Sequence, residues 1–169
     1  MTYSIKIIAV IGIPMLISQT AKSQLIDEAR ELIETKRYNS AEMILEKSIP
    51  STDQAADINY LLVKTYLEQE KITEAREFVN THLNPTDLAV LEPMNRITYA
   101  RYLLKTGKQT EAADIFSSIL SDKKNQKNVP LLIAMSEVAI EENGDALKAL
   151  GWLDLAEKKS SKQSKIEIL

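Results

Sequence analysis

Apolar residues recur along the chain at the three- and four-residue spacing of one helix face. Four stretches share this pattern: LIDEARELI, INYLLVKTYL, ITYARYLL and LLIAMSEVAI, beginning at Leu25, Ile58, Ile97 and Leu131. A second amphipathic stretch follows each of them after a short polar corner. Apolar positions with a period near 3.6 residues indicate amphipathic α-helices. The pattern therefore predicts a series of helix pairs and an all-α fold.

The second stretches align on a small residue. The aligned residues are four alanines, 34, 37 and 37 residues apart: Ala41, Ala75, Ala112 and Ala149. A large apolar residue lies four positions after each alanine and another nine positions before it. A small side chain at a fixed position lets two helices approach closely, and stacked units bury each other's apolar faces. We expect Gly107 and Gly144 to end the first helices of their units with a positive φ.

These helix pairs resemble tetratricopeptide repeats, which are helix pairs with a 34-residue period. Twelve positions before the aligned alanines, where the family has a small residue, stand Ala29, Val63, Ala100 and Glu137, of which Glu137 departs from the pattern. The resemblance implies a right-handed helical-hairpin solenoid of about four repeats over residues 24–159. The repeats would span approximately residues 24–51, 56–86, 93–122 and 130–159. A non-repetitive helical bundle is the alternative.

In this family the first helices line a concave groove that holds a segment of a partner protein. The resemblance places Arg30, Lys64, Arg101 and Val138 at the ninth position of successive repeats. It places Ile26, Tyr60, Ile97 and Ala134 at the fifth position, and Ile33, Leu67, Leu104 and Glu141 at the twelfth. The partner-binding groove would consist of Arg30, Lys64, Arg101, Tyr60, Ile97, Leu67 and Leu104.

The three basic groove residues suit a partner segment with acidic and apolar side chains, or a terminal carboxylate. Replacing Arg30, Lys64 and Arg101 by glutamate should then abolish partner capture without lowering the melting temperature. Alternatively, Arg30 and Lys64 pair with the glutamates four residues further along their own helices, Glu34 and Glu68.

The sequence predicts a scaffold or adaptor for protein–protein interaction, without catalysis, metal or cofactor. The motifs of zinc peptidases, serine hydrolases, P-loop proteins and dinucleotide-binding proteins are absent. The one histidine, His82, has no ligand types at suitable spacing and is expected to pack. Two alternatives stay open, an extracytoplasmic sensor or input domain of a longer signalling protein, and a helical-repeat enzyme acting on envelope polymers. The formal net charge of −3 offers no basic excess for nucleic acid.

Residues 1–23 have the order of a secretory signal peptide. Lys6 precedes the apolar run Ile7–Ile17, and Ala21 and Ser23 supply a small-residue cleavage site before Gln24. The run is too short for a stable membrane span, although an uncleaved anchor is an alternative. No cysteine is present, so the exported chain would fold without disulfides. We expect export to a bacterial periplasm or secretion.

The carboxyl-terminal residues lack the polar outer face that ends most repeat arrays. Residues 160–169 form a tail or the start of a fifth repeat, and they end on Ile166, Ile168 and Leu169. We expect either a longer array or a tail that packs back or onto a partner. Trp152 is expected to pack at a repeat junction, with an anchor for a missing fifth repeat or for a partner as the alternative. The oligomeric state is not predicted.

Overall fold

The computed structural model describes residues 13–48, 55–83, 88, 90–142 and 144–166 of the 169-residue chain. These residues form eight α-helices: α1 Ile13–Glu34, α2 Tyr38–Glu46, α3 Ala55–Glu68, α4 Ile72–Phe78, α5 Pro93–Lys105, α6 Gln109–Leu120, α7 Val129–Glu141 and α8 Ala146–Ile166. A π-helical turn, Val79–Leu83, extends α4, and a 3-10 turn, Asn125–Lys127, precedes α7. The described residues include no β-strand, which confirms the predicted all-α fold.

The helices form four successive pairs, which we number units 1 to 4. The first helices stack in order, with α3 against α1 and α5, and α5 against α7. A continuous cluster of buried apolar side chains runs from Ile26 in α1 to Val138 in α7. Each unit therefore covers the apolar face of its neighbour, as a repeat protein requires.

The aligned alanines have equivalent environments in all four units. Each is the fourth residue of its second helix, and each is fully buried: Ala41, Ala75, Ala112 and Ala149. At this depth a larger side chain would push the two helices of a pair apart. The predicted role of the small residue in close helix packing is confirmed.

The first three corners share one backbone hydrogen-bond pattern. The N–H groups of Arg37, Lys71 and Lys108 donate to the carbonyl five residues earlier, at 2.7, 2.9 and 2.8 Å. The residue before each donor has a positive φ: 57° at Lys36, 58° at Glu70 and 81° at Gly107. A left-handed residue combined with this long hydrogen bond is the Schellman ending of a helix. The positive φ expected at Gly107 is confirmed.

The fourth corner is built differently. Gly144 donates to the carbonyl of Ala139 at 2.8 Å, so it takes the position of Lys108 rather than that of Gly107. Its φ lies outside the left-handed region, so the prediction for Gly144 is wrong. A Cβ at Gly144 would lie 3.1 Å from the backbone of Ala139, and this close approach is the reason for a glycine there. Asp145 then caps α8, with its side chain accepting from two backbone N–H groups at 3.1 Å.

The extra corner residue corrects the register of α7. Counted from the corner, Ser136 and Ala139 take the positions of Ala100 and Leu103, and both are buried. Glu137 and Ile140, which the sequence alignment placed there, are one residue out of step, and Ile140 is 54% exposed. Unit 4 therefore does have a small residue at the eighth position, and the apparent departure at Glu137 was an error of alignment.

Two glycines provide a matched test of the corner geometry. Gly107→Ala should lower the free energy of unfolding by about 1 kcal/mol, because an L side chain at positive φ is strained. Gly151→Ala should raise it by up to about 1 kcal/mol, since Gly151 lies within α8 and a Cβ there meets nothing within 4 Å. Urea unfolding curves measure both. Equal shifts in the two variants would contradict the assigned corner.

Several sequence predictions concern residues outside the described part of the chain. The predicted signal peptide covers residues 1–12, which lie outside it, and the beginning of α1, so its cleavage stays a prediction. The predicted unit ends at residues 51 and 86, and tail residues 167–169, lie outside it as well. Among the described helices, none has the combined length and apolar character needed to cross a membrane.

Candidate interaction surfaces

The apolar and aromatic residues predicted for the groove lie inside the fold. Their side chains are buried between the first helices: Tyr60, Leu67, Ile97 and Leu104. They belong to the apolar cluster that joins units 2, 3 and 4, so they hold the array together. Contact between these residues and a partner segment stays a prediction.

Arg101 is completely buried on α5. Its Nη1 donates to Oε2 of Glu141 at 2.7 Å and to Oε1 of Glu142 at 3.4 Å. Its Nη2 donates to the hydroxyl of Tyr60 at 2.7 Å, and the guanidinium carbon lies 4.9 Å from the centre of that ring. A buried charge is tolerated only where it is paired and hydrogen-bonded. Both conditions are met at Nη1 and Nη2, whereas the buried Nε of Arg101 has no hydrogen-bond partner among the described residues.

Lys64 on α3 reaches the same carboxylates. Its Nζ forms an ion pair with Glu137 and donates to Oε1 of Glu141 at 2.8 Å. Glu137 also lies 3.5 Å from Nη2 of Arg101. The described partners of Lys64 are therefore on α7, and the pairing with Glu68 considered above does not appear among them. We call Lys64, Arg101, Glu137, Glu141 and Glu142 the interhelix ion cluster.

The pKa values in this cluster are shifted by burial and by opposite charges. Burial tends to raise the pKa of Glu137, but the hydrogen bond and charge of Lys64 and the charge of Arg101 outweigh it, and the pKa is lowered. Burial tends to lower the pKa of Arg101, but Tyr60 and the carboxylates raise it. Burial raises the pKa of Glu142 in spite of the nearby Arg101. Glu137 is thus held ionised, whereas burial disfavours the charge of Glu142.

The corrected register explains why an acid faces these cations. The groove positions of unit 4 are Ile133, Glu137 and Ile140 rather than Ala134, Val138 and Glu141. Glu137 is therefore the equivalent of Arg101, Lys64 and Arg30. Sequence reasoning missed Glu137 as their neighbour, although Asp145, a good helix-capping residue, signals the later start of α8. Arg30 is exposed on α1, and none of the described ion pairs includes it.

An open cleft lies between α6 and α8, with a volume of about 630 Å³. We call it the α6–α8 cleft. Four large apolar side chains line it: Leu104, Phe116, Leu120 and Trp152. Polar residues on its walls include Gln109, Ser117 and Lys148. Trp152 contacts Phe116 edge to face, 5.3 Å between ring centres, which confirms that Trp152 packs at a repeat junction.

The cleft exists because small residues replace long ones at the junction of units 3 and 4. One position after the aligned alanine, Glu42 of unit 1 forms an ion pair with Lys71 of the next unit at 2.6 Å. Ala113 takes that position in unit 3, and across the junction Ala139 takes the position of Tyr66. Two alanines cannot span the space that longer side chains fill elsewhere. Both alanines are visible in the sequence, but Ala139 is matched with Tyr66 only in the corrected register.

No catalytic arrangement emerges among the described residues. His82 is exposed and stacks on Phe78, with 4.4 Å between ring centres, as expected for a packing histidine. Within the described part of the chain, no group of three or more histidine, cysteine, aspartate or glutamate side chains is arranged so that it could hold a metal ion. The site geometry offers a partly buried ion cluster and an open apolar cleft.

A family model described as anaphase-promoting complex, cyclosome, subunit 3 matches residues 34–119, about half of the chain. The matched range begins at the end of α1 and includes units 2 and 3 as far as α6. No curated protein and no solved structure matches the chain. The match is to a family of tetratricopeptide-like repeats, in agreement with the helix pairs described above.

Proposed function

The chain belongs to the family described as anaphase-promoting complex, cyclosome, subunit 3, a tetratricopeptide-like repeat family, and on this premise we propose that it is a protein-binding scaffold. Repeats of this type generally bind other proteins and carry out no chemistry. The observation that carries the proposal is the α6–α8 cleft, an open apolar surface on a rigid helical frame. In this proposal the cleft holds a short segment of a partner protein.

The size and lining of the cleft support this assignment. A volume of about 630 Å³ lies within the range of about 300–1,000 Å³ typical of binding sites. Trp152 is half-buried and packs edge to face on the buried Phe116, and its ring offers flat apolar surface, which favours leucine or aromatic side chains of the partner. Gln109, Ser117 and Lys148 would bind the polar backbone of that segment. The cleft therefore suits an apolar anchor on a short peptide.

The concave groove is a second candidate surface, and Arg30 is the observation in its favour. Arg30 stays exposed, whereas Lys64 and Arg101 bind carboxylates of α7. An acidic partner segment would bind Arg30 directly but would have to displace Glu137 and Glu141 from the other two cations. We therefore place the partner's apolar anchor in the α6–α8 cleft and give the groove the lesser role.

The proposal is tested with peptides selected from a random peptide library on the immobilised protein. Ala113→Leu should weaken binding of the selected peptides at least tenfold, because leucine fills the cleft where Ala113 leaves it open. Ala55→Leu is the matched control, since Ala55 is half-buried at the start of α3 and does not line the cleft. Fluorescence anisotropy measures the affinities.

Two outcomes would contradict the cleft. One is equal affinity of Ala113→Leu and the unmodified protein for every selected peptide. The other is loss of binding in Arg30→Glu alone, which would place the partner in the concave groove. Failure to select any peptide would count against the scaffold itself.

A further inference from the structure

A second opening, with a volume of about 440 Å³, lies between the two helices of unit 3. We call it the α5–α6 pocket and define it by six of its lining residues: Arg96, Tyr99 and Leu103 on α5, and Asp114, Ile115 and Ser118 on α6. The residues of α6 that line this pocket are all different from those that line the α6–α8 cleft. An inference about the pocket therefore goes beyond the proposed function.

Repeat equivalence explains why this space is open. Tyr66 and Phe78 of unit 2 take the positions of Leu103 and Ile115, and their rings pack edge to face with 6.3 Å between ring centres. Leu103 and Ile115 are buried too, but they are aliphatic and smaller. Unit 3 therefore has an apolar floor and open space where unit 2 has two aromatic rings. That space suits an apolar side chain of a ligand.

Arg96 brings a positive charge and unused hydrogen-bond donors to the pocket. Its Nη2 donates to the hydroxyl of Ser118, and none of the described ion pairs includes Arg96. Its Nε is buried and has no hydrogen-bond partner among the described residues. The hydroxyl of Tyr99 likewise forms no hydrogen bond within the described part of the chain. This end of the pocket therefore favours a carboxylate, which accepts charge-assisted hydrogen bonds from a guanidinium.

Asp114 brings the opposite charge to the same pocket. It is exposed, and its side chain forms no hydrogen bond or ion pair within the described residues. Glu111, which also lines the pocket, is by contrast paired with Lys108 at 3.6 Å. Residues four apart on a helix have Cβ atoms about 5–6 Å apart, so Asp114 lies one turn from Ser118, the residue that Arg96 contacts. The pocket thus presents two unpaired opposite charges about one helical turn apart.

These two charges and the apolar floor together define the ligand. An anion without a positive group would lie close to Asp114, and a cation without a negative group would lie close to Arg96. Each would meet a like charge, which opposes binding. A small ligand that carries both charges side by side avoids this repulsion.

We propose that the α5–α6 pocket binds a free α-amino acid with an apolar side chain. The carboxylate of the amino acid pairs with Arg96 and accepts from the Tyr99 hydroxyl, and its ammonium group pairs with Asp114. Its side chain covers Leu103 and Ile115. A residue inside a peptide has neither of these charges on its backbone, so the pocket selects the free amino acid. A volume of about 440 Å³ lies in the lower part of the range of about 300–1,000 Å³ typical of small-molecule sites.

The probe is L-phenylalanine, because its ring can take the space that the ring of Phe78 takes in unit 2. Isothermal titration calorimetry with the whole protein should give a dissociation constant below about 1 mM. Two analogues test the charges, since 3-phenylpropionate lacks the ammonium group and phenethylamine lacks the carboxylate. Each should bind at least about tenfold more weakly than L-phenylalanine. Glycine tests the apolar floor and should bind more weakly as well.

Two variants remove the charges of the pocket one at a time. Asp114→Asn and Arg96→Gln should each weaken binding of L-phenylalanine at least about tenfold, because each leaves one charge of the ligand without a partner. Asp154→Asn is the matched control, since Asp154 is also an exposed aspartate on a second helix but does not line the pocket. Ala113→Leu, which fills the α6–α8 cleft, should leave the affinity for L-phenylalanine unchanged.

Four results would overturn the proposal. The first is no binding of L-phenylalanine or L-leucine at concentrations up to about 10 mM, tenfold above the expected dissociation constant. The second is equal affinity for L-phenylalanine and 3-phenylpropionate, which would indicate a simple anion site. The third is equal affinity of Asp114→Asn and Asp154→Asn for L-phenylalanine. The fourth is loss of binding in Ala113→Leu, which would place the amino acid in the α6–α8 cleft.

Discussion

Replacing Arg101 by alanine is expected to lower the free energy of unfolding by about 3–5 kcal/mol. The change removes the cation that binds Glu141 and Glu142, and these carboxylates stay in a partly buried cluster with fewer donors. It also removes the 2.7 Å hydrogen-bond partner of the Tyr60 hydroxyl. Urea unfolding followed by far-ultraviolet circular dichroism measures the loss.

Arg30→Ala is the matched control, because Arg30 holds the same repeat position on α1 but is exposed. Its effect should stay within about 0.5 kcal/mol. Arg101→Met separates charge from volume, since it keeps most of the side-chain bulk. If Arg101→Met is as stable as the unmodified protein, the ion pairs contribute no net stability. If Arg101→Ala and Arg30→Ala lose equally little, the ion cluster does not hold units 2 to 4 together.

This expectation changes how the predicted groove can be tested. Glutamate at Arg101 would place a fourth carboxylate beside Glu137, Glu141 and Glu142, at a position that is itself completely buried. Such a variant should unfold readily, so lost partner capture would not identify a binding residue. The expectation that the triple glutamate variant keeps its melting temperature is therefore withdrawn. Arg30→Glu is the informative change, because only Arg30 of the three is exposed.

The fold could be predicted because its determinants are local and repeated. A buried alanine at the fourth position of a second helix recurs in every unit, and apolar residues at helical spacing surround it. The register of α7 could not be read in the same way, because the fourth corner has one more residue. Lys108 alone makes the hydrogen bond that ends α5 and is the N-cap of α6, whereas Gly144 makes the bond that ends α7 and Asp145 caps α8. One added residue moves every side chain on α7 by about 100° around the helix.

The interhelix ion cluster was predicted only in part, and the α6–α8 cleft was not predicted. Repeat positions correctly singled out Lys64 and Arg101 as neighbours on successive first helices. Their partner Glu137 lies 73 residues from Lys64 along the chain, and local spacing carries no information about such a pairing. The α6–α8 cleft was missed because it follows from missing atoms at Ala113 and Ala139, and small residues are unremarkable until their repeat equivalents are compared.

Ala112→Leu should lower the free energy of unfolding by about 2–3 kcal/mol. Ala112 is fully buried where α6 packs against α5, and it is the third of the four aligned alanines. Three added carbon atoms have no space there unless the two helices move apart. Thermal and urea unfolding, with the fluorescence of Trp152 at the neighbouring junction as a second probe, measure the effect.

Ala113→Leu is the control for this change, one residue away on the same helix. Ala113 lines the α6–α8 cleft, so leucine there extends into open space, and stability should change by less than about 0.5 kcal/mol. Ala75→Leu, the equivalent change in unit 2, should repeat the loss seen at Ala112. If Ala112→Leu and Ala75→Leu are tolerated as well as Ala113→Leu, close helix approach at the small residues does not determine this fold. In that case the corners should determine stability, and Gly107→Ala should lower the free energy of unfolding more than Ala112→Leu does.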